Sequence, residues 1–207
     1  MKSKCDKGHF HAYHTILHQA DCLFDDSEHL EFAKNGDNRG GFSNYYMPLL
    51  LVYIAAIEAF SNSIGFVLIE DFVKKYEKNS IKDKLKRIFK KLGECCDFGK
   101  EPFKFLDYSI ETRNDWVHCK ASKEEYVTEW ESLSLEDFHN IHSKLENKTN
   151  KEFIAKLKNI VHEIIESVSS KARERFPNNK ELMVCLCDIR PVVETEIGKI
   201  TITRTVQ

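Results

Sequence analysis

The stretch MPLLLVYIAAIEAFSNSIGFVLI, Met47 to Ile69, decides the fold. It is the most apolar run in the chain and is long enough to span a bilayer, for which about 20 residues suffice. Near its centre, however, stand Glu58, Ser61, Asn62 and Ser63, which are expensive in lipid. Tyr53, Ile57, Phe60, Ile64 and Val67 recur at intervals of three and four, the repeat of a buried helix stripe. The run therefore reads as the central core helix of a soluble bundle. It should start near Ser43 or Asn44, tolerate Pro48 in its first turn, and continue through Asp71 to Tyr76 until Asn79-Ser80 breaks it.

The flanking sequence extends the same architecture. Phe10 to Ala33 reads as an amphipathic helix, followed by the breaker Asn35-Gly36-Asp37-Asn38-Arg39-Gly40-Gly41. Ile81 to Leu92 predicts a short basic helix with Leu85, Ile88, Phe89 and Leu92 inward and Gly93 as its stop. Residues 94–101 predict a loop, and Pro102 opens the next helix. Ser134 with Asp137 resembles a helix N-cap arrangement, so 135–147 should be helical. Phe153, Leu157, Ile160, Val161, Ile164, Ile165 and Val168 mark a long last helix from Glu152 to Arg175, ended by Phe176-Pro177-Asn178-Asn179. Met183 to Arg190 and Lys199 to Val206 then read as two strands, the second alternating strictly. A lone hairpin is marginal in water, so it should pack on the bundle or on a partner chain.

Bulk properties narrow the function. The 207 residues suit one domain with decoration. Phe is abundant at 14, while Gly at 8 and Pro at 4 are scarce, which favours long helices over turn-rich sheets. A net charge of −2 excludes a whole-molecule polycation, yet Lys74 to Lys91 holds nine Lys or Arg against Glu77 and Asp83. Such a run is either a solvated helix face or a local nucleic-acid surface. Seven cysteines, an odd number, and a polar start at Met1-Lys2-Ser3-Lys4 point to free thiols in a reducing cytoplasm. No P-loop, dinucleotide fingerprint, G-x-S-x-G or H-E-x-x-H occurs.

One other stretch carries chemistry: Arg113-Asn114-Asp115-Trp116-Val117-His118. Phe103, Leu106, Ile110 and Val117 outline a buried stripe, and Arg113 completes it. A desolvated guanidinium is costly unless an anion meets it, either a protein carboxylate or a ligand phosphate. His118 is the side chain suited to moving protons near neutral pH. Together they suffice for metal-free RNA cleavage.

The helix Ala55-Ala56-Ile57-Glu58-Ala59-Phe60-Ser61-Asn62, a connecting helical segment, and then Arg113-Asn114 with three residues before His118 resemble the HEPN superfamily over roughly residues 43–172. Its signature is Arg, a polar residue, a short spacer and His, late in a bundle of about four helices. The resemblance implies a dimer that brings two motif helices together into a composite site. It also implies a metal-independent endoribonuclease of the toxin–antitoxin or anti-phage kind, while other members have lost activity and bind RNA, nucleotide or a partner protein. In that reading the catalytic residues are Arg113 as phosphate clamp, His118 as proton shuttle and Asn114 as orienter. Glu58 and Asp115 support them, and Lys82, Lys86, Arg87, Lys90 and Lys91 dock the RNA. On a straight helix, Arg113 and His118 are separated by about 140° of rotation and roughly 7.5 Å of rise, so a bend or a second copy must converge them. Members paired with nucleotidyltransferase antitoxins carry a tyrosine two residues after the histidine; here that position is Lys120, which argues against that regulation.

The other readings are structural. Arg113 could form an ion pair with Glu58, Asp107 or Glu111, and Glu58 could be its buried counter-ion or a plain helix residue. His11, His14, His18 and Cys22 share a helix face near Cys5 and His9, but four ligands along one helix cannot surround one ion, so no metal is expected. Cys95-Cys96 and Cys185-x-Cys187 read as packing residues.

The expectation is a mostly α, HEPN-like up-and-down helical bundle over 43–176. An N-terminal helical extension and loop (1–42) precedes it, and a C-terminal β-hairpin (177–207) follows. It should act as a cytoplasmic homodimeric ribonuclease with RNA as substrate, no cofactor, no membrane, and an antitoxin or defence-system partner. The alternatives are a catalytically silent HEPN-like dimeric module and a structural dimerisation domain whose hairpin pairs with another chain.

Overall fold

Leu50, Tyr53, Ile54, Ile57, Phe60 and Ile64 are fully enclosed, and the helix that carries them is the hub of the molecule. A computed structural model describes residues 12–29, 46–118 and 149–187, together with the backbone of 192–196 and 199–203. The described residues are mostly helical: α1 (Tyr13–His29), α2 (Met47–Leu68), α3 (Phe72–Tyr76), α4 (Ile81–Lys91), α5 (Phe103–His118), α6 (Lys151–Arg175) and α7 (Lys180–Leu186). The helix expected over 135–147 and the Asn35 to Gly41 breaker lie outside the described residues.

Burial on α2 goes further round than one stripe, because α1, α4, α5, α6 and α7 all pack on it. That is the pattern of a helix enclosed by protein. By length and composition alone α2 would also suit a membrane span, but half of its apolar window is buried inside the molecule. Residues from α1 and α7 join the same core: Tyr13, Ala20 and Phe24 with Leu182, Cys185 and Leu186. Tyr13 meets the Phe60 ring edge-on at 5.0 Å and donates its hydroxyl to the Cys185 carbonyl at 2.9 Å.

The expected continuation of α2 to Tyr76 needs correcting. The helix stops at Leu68, Asp71 takes a left-handed conformation (φ 55°), and α3 begins anew. The reversal lays the buried Phe72 ring against Gly65, where a Cβ would overlap it. Gly65→Ala is expected to cost about 1–3 kcal/mol, the usual cost of overpacking a filled core. Urea unfolding of the variant beside the wild type measures it.

Local chemistry fixes the remaining ends. Ser80 caps α4 by accepting the Asp83 N–H at 3.1 Å and donating to the Asp83 carboxylate at 2.8 Å. Gly93 (φ 77°) closes it, with Glu94 N–H on the Phe89 carbonyl and Gly93 N–H on the Lys90 carbonyl, the two bonds of a Schellman turn. Asn150 caps α6 through the Phe153 N–H at 2.9 Å, and the expected stripe is buried from Phe153 to Val168, apart from a half-buried Ile165.

The strand expected from Met183 to Arg190 is a second correction, since 183–186 belong to α7. Asn179 accepts the Leu182 N–H at 3.0 Å as N-cap, and Leu182, Cys185 and Leu186 then bury one helical face. Arg173 donates to the Leu186 carbonyl at the end of α7 at 3.0 Å. These caps and helix-spaced contacts override the β propensity of Met-Val-Cys-Leu-Cys.

Candidate active site

Phe103 and Leu106 anchor α5 in the core, as the spacing predicted. The buried line then runs through Ser109 and Thr112, Ile110 packs partly buried against the core, and Val117 is 50% exposed. Three-residue steps rotate the stripe off its expected course. Ser109 and Thr112 can be buried because each hydroxyl bonds to its own helix, on the Phe105 and Tyr108 carbonyls, both at 2.8 Å. Arg113 consequently stands at the edge of the interface, with 24% of its side chain exposed.

The anion that meets it is Glu58 of α2, at 3.7 Å from Nη2. Of the other acids considered, Asp107 is taken by Lys82 at 2.6 Å and Glu111 is exposed. Glu58 has a second cation: its other oxygen lies 3.6 Å from Nζ of Lys84, a lysine on α4 whose side chain is only 1% exposed. Both separations exceed hydrogen-bond length, so neither cation locks the carboxylate in a bidentate fork. Asn114, expected to orient the His118 ring, accepts from Arg113 Nη1 at 3.0 Å and so holds the arginine; its contact with His118 lies outside the described residues. Asp115 is exposed, and the His118 side chain lies outside the described residues, although its backbone closes α5. One turn beyond Glu58 on α2, Asn62 Oδ1 is buried without a hydrogen-bond partner among the described residues.

The expected RNA-docking residues share α4. Lys86, Arg87, Lys90 and Lys91 are exposed, whereas Lys82 is tied to Asp107. Arg87 stacks on the Tyr76 ring at 4.0 Å, and Lys82 and Lys86 stand over Phe98 at 5.0 and 5.7 Å. Lys84 leaves the patch for the interior.

Sequence reasoning missed a second polar cluster, between α1, α2 and α6. Asp21 accepts from Tyr53 Oη at 2.9 Å and from His162 Nε2 at 3.0 Å, and Lys158 bridges Asp21 and Asp25 at 3.7 and 3.1 Å. Its signal was a carboxylate one residue past the buried Ala20 on an inward helix face. Burial pushes the Asp21 carboxyl up, but the His162 bond and charge, the Tyr53 hydroxyl and Lys158 outweigh it, so its pKa lies below the ordinary 3.8. A depressed carboxylate contributes stability above its unfolded pKa, lost as pH falls through the folded value. Urea titrations from neutral pH to about pH 3 should show wild-type stability falling, and Asp21→Asn should lack that component.

His14, for which a metal role was considered, bonds the Cys185 carbonyl at 3.1 Å, and His18 contacts the Cys22 sulfur at 3.7 Å. No group of metal-ligating side chains gathers among the described residues, and His11, His9 and Cys5 lie outside them. Burial pushes the Cys96 and Cys185 thiols up to about 12, which leaves them unreactive at neutral pH. No family model, no curated protein and no solved structure matches this chain.

Proposed function

We propose that the chain is a HEPN-like, metal-independent endoribonuclease of the toxin or phage-defence kind. It works as a cytoplasmic homodimer on RNA, with an antitoxin or defence-system partner. The observation that carries this reading is the partly exposed Arg113 guanidinium, aimed by Glu58 and Asn114, on the helix that ends at His118. An arginine whose counter-ion is shared keeps N–H donors for a phosphate. The 2′-hydroxyl gives its proton to His118 and its oxygen attacks phosphorus; the P–O5′ bond breaks as the 5′-oxygen takes a proton from the imidazolium so formed. The products are a 2′,3′-cyclic phosphate and a 5′-hydroxyl. Arg113 offsets the charge on the phosphorane oxygens. Lys86, Arg87, Lys90 and Lys91 hold the strand.

The finer architecture belongs to the same proposal: an up-and-down HEPN-like bundle, the N-terminal helical extension, and a C-terminal hairpin. The antiparallel register of Val192–Glu196 with Lys199–Thr203 supports that hairpin, displaced from the strand expected at Met183.

The pairing of Arg113 with Glu58 favours one other reading, a catalytically silent dimeric module that binds RNA, nucleotide or a protein. Incubation with mixed cellular RNA in excess EDTA separates the two. Cleavage leaving cyclic-phosphate ends, with DNA inert, supports the nuclease. Intact RNA that is nevertheless bound supports the silent module.

A further inference from the structure

Lys84 is the one cation of the basic helix that points inward. Its ammonium, 1% exposed, faces Glu58, and among the described residues no other carboxylate lies within ion-pair distance. A buried ammonium without a counter-ion is strongly disfavoured, so Lys84 binds one oxygen of Glu58 to the α4 side. The other oxygen reaches Arg113 at 3.7 Å. Two formal cations thus share one anion, and the cluster carries a net single positive charge at a place where Arg113 is 24% and Glu58 39% exposed.

We infer that Lys84 is a positioning residue for the Arg113 site: by sharing Glu58 it keeps that carboxylate from neutralising the guanidinium, and so makes the site a receptor for a phosphodiester anion. The inference rests on the reading of Arg113 as the RNA-phosphate clamp. Alone with Arg113, Glu58 would cancel its charge and draw the guanidinium into a close fork, at about 2.7–2.9 Å. With Lys84 present, the carboxylate aims the arginine yet leaves one charge for the ligand. A buried cation also acts through a lower dielectric than the exposed lysines of α4, so its field at the site is screened less.

The charge count makes the test specific. Lys84→Met brings the cluster to neutrality with a side chain of similar length, while Lys84→Met with Glu58→Gln restores a single positive charge. Binding of a short fluorescein-labelled single-stranded oligoribonucleotide is followed by anisotropy at low salt, and cleavage in parallel in EDTA. Lys84→Met should weaken binding by about tenfold, the effect of a unit charge about 10 Å away at an effective dielectric near 20. The double variant should recover most of the affinity that Lys84→Met loses, because the guanidinium charge is again uncancelled although Glu58 no longer aims it. A structural role for Lys84 predicts no such recovery.

Equal weakening in the single and double variants, or wild-type affinity in Lys84→Met, overturns the inference while leaving the nuclease reading intact. The expected pattern without any cleavage upholds the anion site and removes the catalytic reading. No wild-type binding at low salt overturns both.

Discussion

Alanine in place of His118 is expected to reduce RNA cleavage by about 10²–10⁴-fold, the range of a single general acid–base group, while RNA affinity stays within about twofold. The split follows from where the charges lie. In the proposed reading, binding draws on Arg113 and the exposed Lys86, Arg87, Lys90 and Lys91, whereas His118 serves the proton transfer. Arg113→Ala should behave differently, lowering both affinity and turnover, because a phosphate clamp acts in the ground state and more strongly in the transition state. Single-turnover rates at saturating protein, beside anisotropy titrations, separate these effects. Unchanged cleavage in His118→Ala would move the proton transfer to another group. The Tyr53–Asp21–His162 chain would then be the first to examine, since its imidazole is 42% exposed and held by a carboxylate.

Much of the helical layout was legible because apolar spacing speaks directly of burial. Tyr53, Ile57, Phe60 and Ile64 on α2, Leu85, Ile88 and Phe89 on α4, and Leu157, Val161 and Ile164 on α6 are all buried where their periods placed them. What spacing does not carry is the rotation of a stripe once small polar residues can enter it. Ser109 and Thr112 satisfy their hydroxyls within α5, so burial there costs little and Val117 is released to the surface. The Met183 segment misled for a related reason. Its β-prone residues are short of a full period, and the deciding signal was the polar cap Asn179, four residues upstream.

Arg113 was singled out because it stood on an apolar line, and the same rule applied to Lys84, which falls three residues after Ile81 and four before Ile88. As one of nine basic residues in a single run, it looks like surface charge. Composition averages over a helix, whereas burial distinguishes its faces. The pairing of Glu58 with Arg113 was among the readings the sequence offered, but its sharing with Lys84 was not, because that depends on how α4 and α5 approach α2 in space.

That pairing sets the second large effect. Glu58→Gln removes the only described carboxylate beside a lysine that is 1% exposed, and leaves an ammonium enclosed without a counter-ion. Breaking a fully buried pair costs about 3–5 kcal/mol. Glu58 is partly in water, which places this case near the lower end, about 3 kcal/mol. For a chain of this size that corresponds to a fall in Tm of roughly 6–12 °C. The informative comparison is with Lys84→Met and Glu58→Gln together. There the buried charge is gone with its partner, and a methionine fills the space of the lysine stem, so the double variant should be more stable than Glu58→Gln alone. Calorimetry of wild type, both single variants and the double variant closes the cycle. A coupling of about 2 kcal/mol or more identifies the Lys84–Glu58 contact as the source of the loss. Additive effects would mean that Lys84 finds other compensation, and that Glu58 contributes through Arg113 alone.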